Sequence, residues 1–247
     1  MDRVIYTAMT GASHILHQQA AVSENLANNN TPGFRSALNT FRAVPLQGQG
    51  LQTRAFVVDS TAGSDFSSGV LQPTGRELDV AVNGKGWLAV QLPDGSEAYT
   101  RNGSLQSTPN GILQTRSGLT VVGEGGPITL PPNTEVSIAR DGTITTVPTG
   151  NTPVQVQVVG RLKLVNPPEN QMVRGEDGLF RTADKQPATA DASVSVVPGN
   201  LESSNVNVVE AMVNMIALGR SFEMQMKVLQ NADTNARQAS QIFNING

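Results

Sequence analysis

Two long segments with a heptad pattern stand at opposite ends of the sequence, and no helical periodicity of that length recurs between them. From about Asp2 to Asn28, apolar or small residues alternate at spacings of three and four: Ile5, Ala8, Ala12, Ile15, Gln19, Val22 and Leu26. That spacing draws one apolar stripe along a helix. Asp2 suits its N-cap. The side-chain amides of Asn28, Asn29 and Asn30 compete with the helical ladder just before Thr31-Pro32-Gly33, so the helix is expected to stop there. Phe34 then presents a large apolar group immediately past the turn. The second segment begins at Asn207, which has capping-box spacing to Glu210, and carries Val208, Met212, Met215, Gly219, Phe222, Met226, Leu229, Asp233, Ala236, Ser240 and Phe243. At 1.5 Å per residue the helices would run roughly 40 Å and roughly 55 Å.

A small β-domain cannot satisfy stripes of that length, so the simplest solution pairs the two helices as an α-helical coiled coil. Met9, Leu16, Ile216 and Val228 fall off the stripes and leave apolar surface for further chains. Gln19 and Asp233 interrupt the stripes, and Gly219 costs about 1 kcal/mol relative to Ala. The helical ends are therefore expected to be loosely held in the isolated chain and to order on burial in an assembly.

The middle has a different character. From Ser36 to Gly75, glycines at 48, 50, 63, 69 and 75 alternate with short apolar pieces such as Ala55-Phe56-Val57-Val58, the pattern of an extended connection with one or two strands. From Leu78 the period becomes two, as in Leu78–Val82 and Trp87–Leu92. Turn pairs follow at Asn83-Gly84, Asp94-Gly95, Asn102-Gly103, Asn110-Gly111, Asp141-Gly142 and Asp177-Gly178. Strands are expected at about 98–101, 112–115, 120–122, 128–130, 136–139 and 143–146. A longer pair is expected at 154–159 and 161–165, with a bulge or bend at Gly160. The fold class is α+β: an N-terminal helix (1–30), a connecting segment (31–75), a mainly antiparallel β-domain (76–198) and a C-terminal helix (199–247).

Composition narrows the function. Hydrophobic residues make up 38% and aromatics 4%, so any core is built from Val, Leu, Ile and Ala. A net charge of −3 and a pI near 5.4 give no basic footprint for nucleic acid. No run of roughly 18 apolar residues exists, so membrane insertion is not expected. The opening lacks the pattern of a cleaved signal peptide. With no cysteine, disulfides, thiolate catalysis and cysteine metal sites are excluded together.

The remaining chemical candidates are weak. His14 and His17 stand three apart on the first helix, but they are the only histidines, and the nearest helical carboxylate is Glu24. Gly84-Lys85-Gly86 and Gly123-Glu124-Gly125-Gly126 lack a phosphate-loop fingerprint between strand and helix. Asp79, Asp94, Glu97 and Asp141 lie in the β-region, three of them beside turn signals, where a solvated carboxylate is the ordinary outcome. No catalytic residue, cofactor or metal is expected.

Three separated motifs carry a resemblance. Asn25-Leu26-Ala27-Asn28 with Thr31-Pro32-Gly33-Phe34-Arg35 is the first. The second is Leu78-Asp79-Val80-Ala81-Val82, Gly86-Trp87, Pro93-Asp94-Gly95 and Tyr99-Thr100-Arg101-Asn102-Gly103. The third runs Leu201-Glu202-Ser203-Ser204-Asn205-Val206, then Met212-Val213, Met215-Ile216 and Arg220-Ser221-Phe222-Glu223. In this order, and over nearly the whole chain, they resemble the axial proteins of the bacterial flagellum, the rod and hook family. The opening residues and Phe222–Lys227 are most similar to the proximal-rod branch, with the distal-rod branch as the alternative. Arg35 and Trp87 stand where many members carry lysine and phenylalanine, which keeps charge and aromaticity.

The resemblance implies a non-enzymatic subunit, exported by the flagellar type III apparatus without a cleaved signal and added to a hollow helical rod in the periplasm. Its partners would be other copies of itself and neighbouring rod proteins. Subunit contact and helix packing would then fall to Ile5, Ala12, Ile15, Val22, Asn25, Leu26, Asn28, Pro32, Gly33 and Phe34 on the N-terminal side. On the C-terminal side they would fall to Asn205, Val208, Met212, Met215, Phe222, Met226 and Leu229. A secreted carbohydrate-binding β-protein would need clustered surface aromatics, yet the chain has one Trp and two Tyr. A coiled-coil adaptor would leave the β-domain unexplained. Deleting residues 1–28 or 207–247 is expected to leave a folded, soluble β-domain by circular dichroism that no longer supports motility. Retained motility would refute the role assigned to the helices.

Overall fold

The computed structural model describes residues 2–45, 55–149 and 156–244. The chain is α+β, with a helix at each end of an antiparallel β-domain, and it forms two compact units. One unit comprises Met1–Asn28, Ala37–Asp65 and Val206–Gly247, and the other Asn29–Ser36 and Phe66–Asn205. The expected connecting segment, residues 31–75, is thus divided between them. The strand-rich unit also reaches beyond the expected limits of 76 and 198.

In the first unit, helix α1 (Asp2–Ala27) lies against helix α2 (Val208–Asn244). The end of α1 and the start of α2 have the local reasons visible in their sequences. The Asn28 backbone and side-chain amides both donate to the Glu24 carbonyl, at 3.1 and 3.0 Å. At the start of α2, Asn207 Oδ1 accepts from the amides of Val209 and Glu210, at 3.2 and 3.3 Å.

The helices run antiparallel. A Cβ on Gly11 would lie 3.4 Å from the Gln225 side-chain amide. With Gly11 opposite Gln225, Ala211 falls opposite Asn25 and Thr234 opposite Asp2. Ala211 is indeed buried, whereas every position from Asp233 to Gln238, at and past the first residues of α1, is exposed. The inward row of α1 is Ile5, Ala8, Ala12, Ile15, Gln19, Val22 and Leu26, all buried or half-buried.

On α2 the expected stripe is only half inward. Val208, Met215, Phe222 and Leu229 are half-buried, but the alternating positions are Ala211, Leu218, Gln225 and Ala232. Met212 and Met226 are turned to solvent instead. Small or apolar residues stand at both 211 and 212, so spacing alone allows either row. Burying Ala211 rather than Met212 puts the smaller side chain on the helix contact.

A two-stranded ribbon, β1 (Ala37–Pro45) and β2 (Ala55–Ser64), completes this unit. It carries a bulge, since Thr40 pairs with Thr61 and Phe41 with Asp59. Asn25 ties it to α1: its Oδ1 accepts from the Ala37 amide at 2.7 Å, and its Nδ2 donates to the Ala37 carbonyl at 3.0 Å.

The second unit contains β3 (Leu71–Pro73), β4 (Val80–Asn83), β5 (Trp87–Gln91), β6 (Glu97–Thr100), β7 (Leu105–Ser107), β8 (Leu113–Thr115), β9 (Thr120–Gly123), β10 (Gly126–Pro127), β11 (Thr134–Ile138), β12 (Thr143–Pro148), β13 (Gln157–Arg161), β14 (Leu164–Val165), β15 (Met172–Arg174), β16 (Phe180–Thr182), β17 (Ser195–Pro198) and β18 (Asn200–Glu202). The main sheet has the order β15-β16-β6-β5-β9-β8-β7, with β10 on β9 and β14 on β5. A three-stranded sheet β11-β12-β13 and the pairs β17-β4 and β18-β3 accompany it, and all pairings are antiparallel. Val80, Val82, Leu88, Leu105, Leu113, Val121, Ile138, Ile144, Leu162 and Leu164 form the principal core. Trp87, Tyr99 and Phe180 form a second, smaller one.

Residues 128–130 form a bridge rather than a strand. Residues 154 and 155 lie outside the described residues. The bulge falls beside Gly160: Ile144 pairs with Gly160 and Thr145 with Val158, which leaves Val159 as the extra residue.

The glycines of five expected turn pairs have positive φ, but Gly103 does not. It is required by close approach, because a Cβ there would run into the Val80 carbonyl. Replacing Gly103 by Ala is expected to lower stability by about 1–3 kcal/mol. Replacing Gly219, where no heavy atom lies within 4 Å of an added Cβ, should raise it by up to about 1 kcal/mol. Thermal melting of the two variants checks both signs.

Candidate functional site: a buried ion triad behind the helix exit

The residues that leave α1 enter the strand-rich unit and are clamped there. Gly33 is buried at φ +69°, and a Cβ on it would collide with the Arg101 backbone carbonyl, so glycine is needed for both conformation and space. Its amide donates to the Glu202 carbonyl at 2.7 Å. The chain returning toward α2 is held alongside: the Asn205 amide donates to the Phe34 carbonyl, and Asn205 Oδ1 accepts from the Ser36 amide at 2.7 Å. Asn205 Nδ2 reaches the Ser67 carbonyl at 3.1 Å. One asparagine therefore joins three separate stretches of chain. Phe34 is nearly enclosed, with the Arg174 guanidinium 4.6 Å from its ring centroid. Arg174 also donates to the Arg35 carbonyl at 3.3 Å.

Beneath this lies a triad of buried charges. Arg35 donates to Glu202 Oε1 at 2.7 Å, and Arg101 donates to Glu202 Oε2 at 3.1 Å. None of the three side chains is more than 4% exposed. Glu202 Oε1 also accepts from the Gly69 amide at 2.8 Å, while Arg101 donates to the carbonyls of Val82 and Gly84 and lies 5.5 Å from the Trp87 ring. Burial pushes the Arg101 guanidinium below its ordinary pKa. The Glu202 charge opposes that shift, and the like charge of Arg35 adds to it. The cluster holds two positive charges and one negative, so its cohesion depends on the single carboxylate.

The triad takes a structural form. Its groups are sealed from solvent and bonded to one another. The carboxylates considered from sequence are committed to local structure. Asp94 and Asp141 accept from the hydroxyl and amide of Ser96 and Thr143, and those bonds hold both below the usual carboxylate range. Glu97 pairs with Lys163 at 2.7 Å, and the buried Asp79 with Arg76 at 3.1 Å. Lys85 pairs with Glu169, and the Gly123–Gly126 stretch turns β9 into β10. Among the described residues, no group of three or more His, Asp or Glu side chains is placed to hold a metal ion. No described helix is long and apolar enough to cross a membrane.

The structure sorts the candidate contact residues into two places. Ile5, Ala12, Ile15, Val22, Leu26, Val208, Met215, Phe222 and Leu229 lie along the inward rows of α1 and α2. Asn28 finishes α1, and Asn25 braces the ribbon. Gly33, Phe34 and Asn205 gather at the clamp, next to the half-buried Pro32. Met212 and Met226 belong to neither place, since both face solvent. The triad itself is absent from the sequence-based choice. Its members are 66 and 101 residues apart, and the signal available was the unusual company of an acidic residue inside the motif Leu201-Glu202-Ser203.

Three family models match the chain in order. They are flagella basal body rod protein over residues 5–35, the flagellar hook protein FlgE/F/G D1 domain over 81–146, and the C-terminal region of flagellar basal body rod FlgEFG proteins over 197–242. The flagellar basal-body rod protein FlgF of Salmonella typhimurium is 51% identical over 99% of this chain and 100% of its own length. FlgF of Escherichia coli is 50% identical over the same shares. FlgG of Buchnera aphidicola from Acyrthosiphon pisum is 34% identical, over 90% of this chain and 92% of its own. The chain belongs to the flagellar basal-body rod protein family. In this rod-family chain each matched segment supplies one member of the triad: Arg35 closes the first, Arg101 lies in the second and Glu202 in the third.

The geometry fixes how the triad responds to substitution. Glu202→Ala strands two buried guanidinium groups and is expected to cost about 3–5 kcal/mol in urea unfolding of the full chain. Arg35 contacts Glu202 through one terminal nitrogen, and its Nε and other terminal nitrogen have no partner among the described residues. Arg35→Lys, which keeps one charged donor, should therefore cost much less than Arg35→Ala. Equal losses would refute the single-donor account.

Proposed function

We propose that the chain is a structural, non-catalytic subunit of the flagellar basal-body rod, of the FlgF type. The observation that carries the proposal is identity of about one half along the whole length of two FlgF proteins, against about one third to FlgG. In this reading α1 and α2 form an antiparallel coiled coil that contributes to a hollow helical shaft in the periplasm. Copies of the chain and neighbouring rod proteins cover its remaining apolar surface. Delivery is by the flagellar type III export apparatus without a cleaved signal peptide. Tyr6, Met9, Leu16, Val209, Val213, Ile216 and Met224 support a role in assembly, because each is a large apolar side chain more than half exposed on a terminal helix. Domain limits follow the same logic: the helices serve assembly, and the strand-rich part holds the triad.

Expression in a non-motile strain lacking its own FlgF tests the proposal. The chain is expected to restore swimming, and a stable, exported chain that leaves the cells non-motile would overturn it. Leu26→Ala and Phe222→Ala each remove a half-buried side chain from the helix pair, a change worth about 2–5 kcal/mol when the site is fully buried. Swimming should fall sharply in both variants, while the melting temperature of the strand-rich unit stays unchanged. A collapsed β-domain with intact motility would contradict the division of labour.

A further inference from the structure

Asparagine followed by glycine is a chemically unstable pair, because the glycine amide nitrogen attacks the asparagine side-chain carbonyl with no side chain of its own in the way. Three such pairs lie among the described residues: Asn83-Gly84, Asn102-Gly103 and Asn110-Gly111. The dipeptide is the same in each, so the fold decides which of them reacts.

The attack needs a glycine amide free to lose its proton and a side chain free to swing over the main chain. Asn110 is exposed, but the Gly111 amide donates to the Thr108 carbonyl at 2.8 Å, and the Gly111 carbonyl accepts from the Leu130 amide at 2.7 Å. Both peptide planes of that glycine are held. Asn102 is half-buried, and its Oδ1 accepts from the Ser104 amide at 3.1 Å. Gly103 beside it is packed so closely on the Val80 carbonyl that no Cβ fits, which opposes the backbone swing that ring closure requires.

Asn83-Gly84, in the turn between β4 and β5, has neither restraint. Both residues are exposed, and among the described residues the Asn83 side chain is held only by a long contact, Nδ2 to Ser195 Oγ at 3.4 Å. No acceptor among the described residues takes the Gly84 amide. The glycines of the Asp-Gly turns behave like Gly111 instead: the amides of Gly95, Gly142 and Gly178 donate to the carbonyls of Leu92, Ala139 and Gly175, at 2.9, 3.0 and 3.1 Å. Gly84 has φ +68° with no heavy atom within 4 Å of an added Cβ, so the turn is open on that side.

We propose that Asn83 is a site of non-enzymatic deamidation, and that its isoaspartyl product loosens the buried ion triad. The Gly84 nitrogen bonds to Asn83 Cγ, the Cγ–Nδ2 bond breaks, and ammonia leaves with the Gly84 amide proton. Water then opens the cyclic imide. Cleavage at the former main-chain carbonyl routes the chain through Cγ as isoaspartate, and cleavage at Cγ gives aspartate. The isoaspartyl form adds one atom to the main chain between residues 83 and 84. Arg101 donates to the carbonyls of Val82 and Gly84, one on each side of that insertion. A guanidinium fitted across residues 82 and 84 loses its fit when the chain between them lengthens.

The full-length chain tests this after days in warm, mildly alkaline buffer. Trypsin then releases Asn83 in the peptide Glu77–Lys85, and fragment ions separate Asn102 from Asn110 in Asn102–Arg116. Asn83 is expected to convert at least about fivefold faster than either, the factor by which an ordinary hydrogen bond on the glycine amide slows attack. The Glu77–Lys85 peptide should also accept methyl groups from an isoaspartyl methyltransferase, and in concentrated urea the three rates should converge. An unmodified Asn83, comparable rates in the folded chain, or the same selectivity in urea would each overturn the site. For the link to the triad, the urea midpoint of the aged chain should fall in proportion to its isoaspartate content, whereas aged N83Q keeps the midpoint of fresh protein. N83D, which adds the charge without the extra main-chain atom, should unfold close to the unmodified chain. An unchanged midpoint in the aged chain, or an equal loss in N83D, would overturn the link.

Discussion

One carboxylate holds two guanidinium groups out of water, and much of the strand-rich unit is arranged to make that tolerable. Removing three charges from solvent is costly unless hydrogen bonds replace the lost hydration. Glu202 receives Arg35, Arg101 and the Gly69 amide, and Arg101 also donates to the carbonyls of Val82 and Gly84. Those carbonyls belong to β4 and the turn that follows it, so the ion cluster also fixes the start of the main β-body. A hydrophobic cluster of the same volume could match it in stability. What the charges add is direction, because Glu202 accepts from two guanidinium groups at defined positions.

Within the strand-rich unit, the triad holds the stretch that follows α1 beside the stretch that precedes α2. Arg35 follows α1 by eight residues, and Glu202 precedes α2 by six. Asn205 closes the gap through Phe34, Ser36 and Ser67, and Gly33 provides the approach that lets the two strands of chain run side by side. The helices themselves are bound more lightly. Their inward rows contain Ala8, Ala12 and Ala211, which allow close approach but bury little area each. Most large apolar side chains on the helices remain in solvent, as suits elements whose burial is completed by other molecules.

Local signals located the elements well. The heptad spacing marked both helices, Asn28 and Asn207 marked an end and a beginning, and five of the turn pairs held glycines with positive φ. The failures share a cause. Met212 and Met226 fit the spacing as well as Ala211 and Gln225 do, and the choice depends on the partner helix, which is remote in sequence. Gly103 reads as a hairpin glycine but is needed because the Val80 carbonyl approaches it. The reading of residues 36–75 as an extended connection with one or two strands is met by β1 and β2, which pair as a ribbon.

By itself the sequence determined the two helices, the antiparallel β-domain between them, the absence of thiol chemistry and membership of an axial-protein family. The first three follow from short-range spacing or from composition, where neighbouring residues carry the information, and the last from the resemblance of three separated motifs. Only the tertiary structure decided which row of α2 faces inward, and only it brought Arg35, Arg101 and Glu202 into one buried cluster. Those outcomes depend on contacts between segments up to 167 residues apart. Arg35, which in sequence only keeps the charge where many members carry lysine, is a buried group whose guanidinium reaches Glu202.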